Sequence, residues 1–170
     1  MARANFRVLV YSRPGIKSWI EFSDPGVANP TDVFVRVEIT TICWSDLFTL
    51  KGEVPLATTG QILEHEGVGH RKAIGPSVAT LKVENQLLIS SIKSRGSCSY
   101  CRIGPHSQCL GDEGVSRKGW FFGYLIDETQ VEYVRFPYAE ISLHVLAETI
   151  IDREKMMHSD IYPVGFEIDV

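Results

Sequence analysis

The chain has 170 residues, 44% of them apolar, and a formal net charge of −4 at pH 7. This length predicts one domain with a sizeable core, or two domains at most. The acidic balance, with a sequence pI of about 5.7, argues against a general attraction to nucleic-acid phosphates, which needs clustered Lys and Arg. We therefore expect no nucleic-acid partner.

Compartment and membrane contact can be judged from apolar runs and cysteines. No apolar run approaches the ~20 residues of a membrane-spanning helix, and the N-terminal run FRVLVY is too short for a secretory signal. We expect a cytoplasmic protein with no membrane partner. Three cysteines cluster at Cys98, Cys101 and Cys109, with Cys43 far away, which favours cytosolic metal ligation over an extracellular disulfide framework. Two disulfide bonds among the four cysteines are the alternative interpretation.

The predicted elements up to residue 136 are mostly strands. They are FRVLVY (6–11), SWIEF (18–22), VFVRVEIT (33–40), HEGVGHRKAIG (65–75), NQLLISSI (85–92) and VEYVRF (131–136). Gly, Pro and polar turns separate them. In the third strand Val33, Val35, Val37 and Ile39 alternate on one face, as in a half-buried strand. Many short strands at such spacing predict a barrel or a sandwich.

The C-terminal segment has a different pattern. Residues 151–170 carry charged residues and Met at helical spacing, and Pro163 is expected to kink or restart a helix there. We therefore divide the chain into a β-rich body, 1–150, and a terminal helical element, 151–170. A G-x-G-x-x-G motif, which opens dinucleotide-binding units, is missing, since Gly67-Val68-Gly69 is followed by Gly75 at the wrong spacing.

Candidate metal ligands occur at three distant places in the chain. Cys43 offers a soft thiolate, His65 offers an imidazole flanked by acids, and Asp160 offers a carboxylate near the C-terminus. Cys, His and a carboxylate are a ligand set of catalytic zinc, which keeps one position open for water or a substrate oxygen.

The order of the short motifs is more specific than any one of them. C-W-S-D stands at 43–46, E-H-E-G-V-G at 64–69, G-P-S-V at 75–78, and a C-x2-C-x7-C lobe at 98–109. In this order and spacing the chain resembles the zinc-dependent medium-chain alcohol dehydrogenases. The resemblance implies a mainly β fold, a GroES-like partly open β-barrel with short helices and a C-terminal helical element.

The resemblance also implies a catalytic zinc site. Cys43, His65 and Asp160 would hold the metal, which polarises the oxygen of an alcohol. The segment 159–167 resembles the helix that leads into the nucleotide-binding domain of the family. The hydride acceptor would be NAD or NADP, bound by a Rossmann domain that these residues do not include. We therefore expect a truncated chain that cannot turn over alone.

Three further residues receive roles from the resemblance. Ser45 matches a hydroxyl that relays the alcohol proton. Asp46 would stand behind the metal ligands and fix the tautomer of His65 through its other ring nitrogen, while Glu66 would sit beside the metal and exchange with water. The implied partners are a small alcohol or carbonyl substrate and, as in dimeric and tetrameric family members, further copies of the chain in a homo-oligomer.

The cysteine lobe departs from the family pattern. The family closes a structural zinc site with four cysteines, and Arg95 stands where the first is expected. A guanidinium cannot ligate zinc. Either His106 or water completes a weaker site with Cys98, Cys101 and Cys109, or zinc is lost and Arg95 supplies positive charge near the thiols. We expect weakened or absent zinc, because structural zinc sites are almost always four-coordinate.

Departures also occur beside the catalytic motifs. Trp44 replaces a small glycine, Phe48 stands where a histidine often continues the proton relay, and Glu64 replaces the glycine before His65. Residues 84–86 replace a Gly-Asp-Arg turn, where glycine allows a positive φ. These changes predict backbone strain and an altered proton path. They leave a second hypothesis open, a diverged GroES-like module that binds or assembles without catalysis.

Overall fold

The computed structural model describes residues 5–81, 86–111 and 126–168. The strands are β1 (Asn5–Arg13), β2 (Ile16–Ser23), β3 (Val33–Thr40), β4 (Gly67–Ile74), β5 (Gln86–Ile89), β6 (Tyr133–Phe136) and β7 (Leu143–Val145). The α-helices are α1 (Trp44–Lys51), α2 (Ser99–Arg102), α3 (Ala139–Ser142), α4 (Asp152–Lys155) and α5 (Ile161–Ile168). Single 3-10 turns cover His106–Gln108 and Met156–His158.

The strands form two antiparallel sheets. β1 and β2 make a hairpin, and the other strands make a five-stranded sheet in the order β6-β3-β4-β5-β7. An isolated bridge from Val10 to Ile62 ties the hairpin to the segment that precedes β4. The predicted fold class, mainly β with short helices and a helical C-terminal element, is confirmed.

The main core lies on one face of the five-stranded sheet. Val33 and Val35 of β3, Leu87 and Ile89 of β5, and Phe136 of β6 are fully buried there. The alternation predicted for β3 holds in its second half, where exposed residues alternate with half-buried ones. In the first half Phe34 is buried as well, because its ring stacks on Tyr133 at a centroid distance of 5.5 Å.

The predicted fourth strand is shorter than expected at its N-terminal end. It begins at Gly67 and not at His65. Glu64 has a φ of 77°, a left-handed conformation that a strand cannot contain. The segment Glu64–Glu66 therefore lies outside the ladder as an irregular loop, and this frees its side chains for the site described below.

The C-terminal element is helical but interrupted. α4 runs into the 3-10 turn at Met156–His158, and α5 begins at Ile161. Pro163 is the third residue of α5, where a proline is tolerated because the first turn has no intrahelical partner for its N–H. Of the residues described, no helix has both the length and the apolarity needed to cross a membrane.

Candidate metal centre

Four donor side chains from three segments meet at one place. Cys43 is the N-cap of α1, His65 and Glu66 lie directly before β4, and Asp160 lies in the turn before α5. One ligand atom from each, the thiol Sγ, a ring nitrogen and two carboxylate oxygens, lies within 4.8 Å of all the others. The structure thus brings together the three residues expected as zinc ligands and Glu66, which was expected beside the metal.

His65 is held between two partners. Its Nε2 lies 3.6 Å from Oδ2 of Asp160, and its Nδ1 lies 3.4 Å from the hydroxyl of Ser45. Burial lowers the pKa of His65, but the acids Asp160, Glu64 and Glu66 around the ring outweigh this effect, so the pKa of His65 is raised overall. The ring therefore sits in a strongly negative pocket.

Glu66 is the most buried of the four donors. Its carboxylate accepts a hydrogen bond from Ser159 Oγ at 3.2 Å, and it is 5% exposed. Burial and the nearby charge of Asp160 raise the pKa of Glu66. The carboxylates of Glu66 and Asp160 repel each other at this site, and a divalent cation would relieve that repulsion. The donor set therefore fits zinc.

Asp46 takes a different place from the one expected. The expectation was a contact with the ring of His65. Instead, Asp46 is 4% exposed and its two oxygens accept hydrogen bonds from the backbone N–H groups of Cys43, at 3.0 Å, and Glu64, at 2.9 Å. The reason is its position in the first turn of α1, where its side chain turns back to the N-cap. Ser45 is the residue beside the second ring nitrogen of His65.

Glu64 is the main element of the site that sequence reasoning treated only as a source of strain. It is fully buried, and its carboxylate accepts hydrogen bonds from the backbone N–H groups of Cys43 at 2.7 Å, His65 at 3.1 Å and Glu66 at 2.8 Å. Burial, together with the neighbouring carboxyl of Asp46, raises the pKa of Glu64 to about 7. The available signal was an acid at a position where the family resemblance implies a glycine.

Two further residues behind the site gave no sequence signal. Thr129 is fully buried, and its hydroxyl lies 3.1 Å from the carbonyl oxygen of Glu64 and 2.8 Å from that of Glu66. Glu128 is 1% exposed, and burial, together with Asp46 and Glu64, raises its pKa well above the ordinary value. Neither residue belongs to a recognisable motif, because only the fold brings the segment around residue 128 behind the loop before β4.

The three-cysteine lobe is compact and reduced. Cys98, Cys101 and Cys109 are buried, all four cysteines of the chain are free thiols, and the three sulfurs lie within 4.8 Å of one another. The alternative of two disulfides is therefore not what the structure shows. Backbone N–H groups, first that of Cys101 and then that of Leu110, lower the pKa of Cys98 to about 6, which favours a thiolate ready for a metal.

Among the described residues, the lobe offers three protein ligands, the thiols of Cys98, Cys101 and Cys109. His106 is not part of the sulfur cluster, and its Nδ1 lies 3.2 Å from Ser94 Oγ. The backbone N–H of Arg95 donates to the sulfur of Cys109 at 3.4 Å. Three thiols fit a four-coordinate structural zinc site only in part.

Comparison with known proteins gives a consistent result. Residues 29–145 match the family described as alcohol dehydrogenase GroES-like domain. The chain is 31% identical to an alcohol dehydrogenase of Cupriavidus necator over 96% of this chain and 47% of the relative. It is 30% identical to the zinc-type alcohol dehydrogenase B of Aspergillus flavus over 94% of this chain and 36% of that protein.

Solved structures agree with the sequence relatives. The zinc dependent alcohol dehydrogenase 2 from Streptococcus pneumonia, in its apo form, superposes with a TM-score of 0.83 and 36% identity, over 95% of this chain and 44% of that one. Alcohol dehydrogenase TADH from Thermus sp. ATN1 gives a TM-score of 0.81 and 28% identity, over 95% and 46%. The chain thus spans about half the length, or less, of the proteins it matches.

Proposed function

The chain belongs to the family of alcohol dehydrogenase GroES-like domains, and from this premise we propose that it is the zinc-binding catalytic domain of an NAD(P)-dependent alcohol dehydrogenase. The reaction is hydride transfer between a small alcohol and its aldehyde or ketone. The observation that carries the proposal is the convergence of Cys43, His65, Glu66 and Asp160 within 4.8 Å. A thiol, an imidazole and carboxylates from three separate segments are the donors that a catalytic zinc uses.

In the proposed site, Cys43, His65 and Asp160 hold zinc, with Glu66 as an additional donor that exchanges with water or substrate. When bound, zinc polarises the oxygen of the alcohol or carbonyl substrate and lowers the pKa of the alcohol. Burial and the charge of Asp160 raise the pKa of Glu66, and the acids around the ring raise the pKa of His65 against the effect of burial. This accumulation of acids supports a site built for a cation.

Ser45 and Asp46 act on the ligands and the substrate proton in this proposal. With the Nδ1–H of His65 donating to Ser45 Oγ, at 3.4 Å, the Nε2 lone pair is left for the metal. The hydroxyl proton and a second lone pair of Ser45 then remain for the alcohol, which suits the relay expected of this residue. Asp46 contributes by holding the N–H of Cys43 at 3.0 Å, and so the start of α1.

NAD or NADP is the proposed hydride acceptor. The 170 residues contain no G-x-G-x-x-G motif, and hydride transfer needs the nicotinamide at about 3 to 3.5 Å from the substrate carbon. We therefore propose that this chain alone binds zinc without turning over, and that turnover needs a nucleotide-binding partner domain. We also place the protein in the cytoplasm, because its four free thiols suit a reducing compartment.

Elemental analysis of the purified chain tests the proposal. The expected result is one zinc per chain that the Cys43→Ala variant loses and the Cys101→Ala variant keeps. A second zinc, lost with Cys101→Ala, would mean that the lobe is occupied as well and would leave the catalytic assignment intact. If every sample is free of zinc, and the protein is folded and insensitive to chelators, the proposal is wrong. The chain would then be a non-catalytic GroES-like binding or assembly module.

A further inference from the structure

Glu64 combines two features that each cost free energy. It is a non-glycine residue with a φ of 77°, a conformation that L side chains rarely adopt. It also carries an acidic side chain into a fully buried position, which is unfavourable unless its oxygens are well hydrogen-bonded. A residue that is both strained and buried must be stabilised by its surroundings, and its contacts show how.

The carboxylate of Glu64 accepts hydrogen bonds from three of the four donor residues of the metal centre. Oε2 accepts from the N–H of Cys43 at 2.7 Å, and Oε1 accepts from the N–H groups of His65 at 3.1 Å and Glu66 at 2.8 Å. Cys43 lies 21 residues away along the chain. One side chain thus joins the loop before α1 to the loop before β4.

The backbone of Glu64 is anchored on both sides as well. Its N–H donates to Asp46 Oδ1 at 2.9 Å, and its carbonyl oxygen accepts from the N–H of Thr129 at 3.0 Å. The backbone of Glu64 is therefore held in place, so its carboxylate can keep the two loops in a fixed arrangement. Both carboxylate oxygens accept from backbone N–H groups, although the carboxyl of Asp46 also lies beside them. An amide at this position would have to turn its NH₂ group towards one of these N–H groups and lose that bond.

We propose that Glu64 is a positioning residue that sets the distance between the thiol of Cys43 and the ring of His65, and thereby the affinity and geometry of the metal centre. The inference rests on the proposed function, since it concerns the same site. Hydrogen bonds behind metal ligands commonly alter metal affinity roughly 10- to 100-fold when removed. Asp46 shares the N–H of Cys43 and can retain part of this bond, so we expect the lower end of that range for Glu64.

The test is a cobalt(II) titration of the metal-free chain, with Glu64→Gln as the main variant. Cobalt bound to a thiolate gives a charge-transfer band, and the part of that band lost in Cys43→Ala reports this centre and not the cysteine lobe. In Glu64→Gln the amide oxygen should keep the hydrogen bonds from the N–H groups of His65 and Glu66. The NH₂ group would then face the N–H of Cys43 and could not accept its hydrogen bond. We expect about tenfold weaker cobalt binding at this centre and a shifted charge-transfer band.

Glu140→Gln is the matched control. The carboxylate of Glu140, on α3, accepts from the backbone N–H of Thr80 at 2.9 Å and from that of Ala79, so it joins two segments in the same way but away from the metal centre. A purely structural effect of replacing such an acid would lower the melting temperature in both variants. Only the positioning role predicts that the cobalt affinity and spectrum change in Glu64→Gln and stay constant in Glu140→Gln.

The outcomes separate the two proposals. If the wild-type chain shows no cobalt band that Cys43→Ala removes, the proposed function is wrong and the role of Glu64 falls with it. If that band is present and Glu64→Gln leaves both affinity and spectrum unchanged, only the role of Glu64 is wrong. Should Glu64→Gln not fold, Glu64→Gly decides in its place, because glycine accepts the positive φ while removing all three bonds, and unchanged cobalt binding in that variant overturns the inference.

Discussion

Nε2 of His65 lies 3.6 Å from Oδ2 of Asp160, which joins the loop before β4 to the turn before α5. Asp160 is thus the donor that connects the helical C-terminal element to the β-rich body at the candidate metal centre. Because Asp160 also contributes to the raised pKa of His65, removing its charge has a readout that does not depend on bound metal.

Asp160→Asn should lower the pKa of His65 in the metal-free protein. The neutral amide no longer stabilises the imidazolium, so only Glu64 and Glu66 oppose the effect of burial, and the ring loses its proton at a lower pH. NMR titration of the His65 ring in the presence of a chelator measures the change, and zinc binding should weaken in parallel. Glu154→Gln, at an exposed acid on α4, is the control, and an equal pKa change in both variants would contradict the assigned contact.

Glu128→Gln should make the stability of the metal-free protein less dependent on pH. In the folded chain the pKa of Glu128 is well above its ordinary value of 4.5, because of burial and the acids Asp46 and Glu64. Below pH 4.5 both folded and unfolded states keep the proton. Above it the unfolded state loses the proton first, so stability falls by up to about 1.4 kcal/mol per pH unit until the folded pKa is passed.

Chemical denaturation of the metal-free chain at a series of pH values from 4 to 8 checks the Glu128 prediction. The glutamine variant has no proton to lose there, so its stability should decline less over the same range and exceed that of the wild type at neutral pH. Glu132→Gln, at an exposed position on the same segment, should follow the wild-type curve. Parallel curves for Glu128→Gln and the wild type would show that Glu128 is not held neutral by the fold.

The donor residues could be named from the sequence because their residue types suit zinc and the order of their motifs resembles a family that implies these roles. Cys43, His65 and Asp160 stand in short motifs whose residue types are visible without coordinates, and the alternation of β3 is equally visible. The roles of Asp46 and Glu64 depend on which backbone N–H groups converge on a carboxylate. That convergence follows from the positive φ at Glu64 and from the first turn of α1, and neither can be derived from residue type alone.

Gly69→Ala should destabilise the fold by about 1–3 kcal/mol, or more where the backbone cannot shift. Gly69 lies in β4, and a Cβ at this position would lie 2.7 Å from Cγ1 of Val35 and against the carbonyl oxygen of Arg36. The packing of β4 on β3 therefore needs a residue without a side chain here. Denaturant midpoints of the variant and the wild type give the difference in free energy of unfolding.

The matched control for Gly69 is Gly165→Ala. A Cβ on Gly165 meets nothing within 4 Å, and the residue lies within α5, where alanine is favoured over glycine by up to about 1 kcal/mol. This variant should be neutral or slightly more stable than the wild type. Equal destabilisation in the two variants would contradict the close approach of β3 and β4 at Gly69.

Arg95→Cys should give the chain a second zinc. The backbone N–H of Arg95 lies 3.4 Å from the sulfur of Cys109. The backbone of a cysteine at position 95 would therefore lie next to the three-sulfur cluster. Structural zinc is almost always four-coordinate, and a fourth thiolate supplies what Cys98, Cys101 and Cys109 lack. Elemental analysis should show the metal content rise by one zinc per chain, and the melting temperature should rise and become sensitive to chelators.

Arg102→Cys separates this effect from the mere addition of a thiol. Arg102 is exposed at the end of α2, beside the lobe but directed to solvent, so the variant adds a cysteine without closing the cluster and should leave the zinc content unchanged. If Arg95→Cys also leaves it unchanged, the missing fourth ligand is not what limits the lobe. If the wild-type lobe already holds zinc, the substitution should instead slow the loss of that zinc to a chelator, because a protein ligand has replaced water.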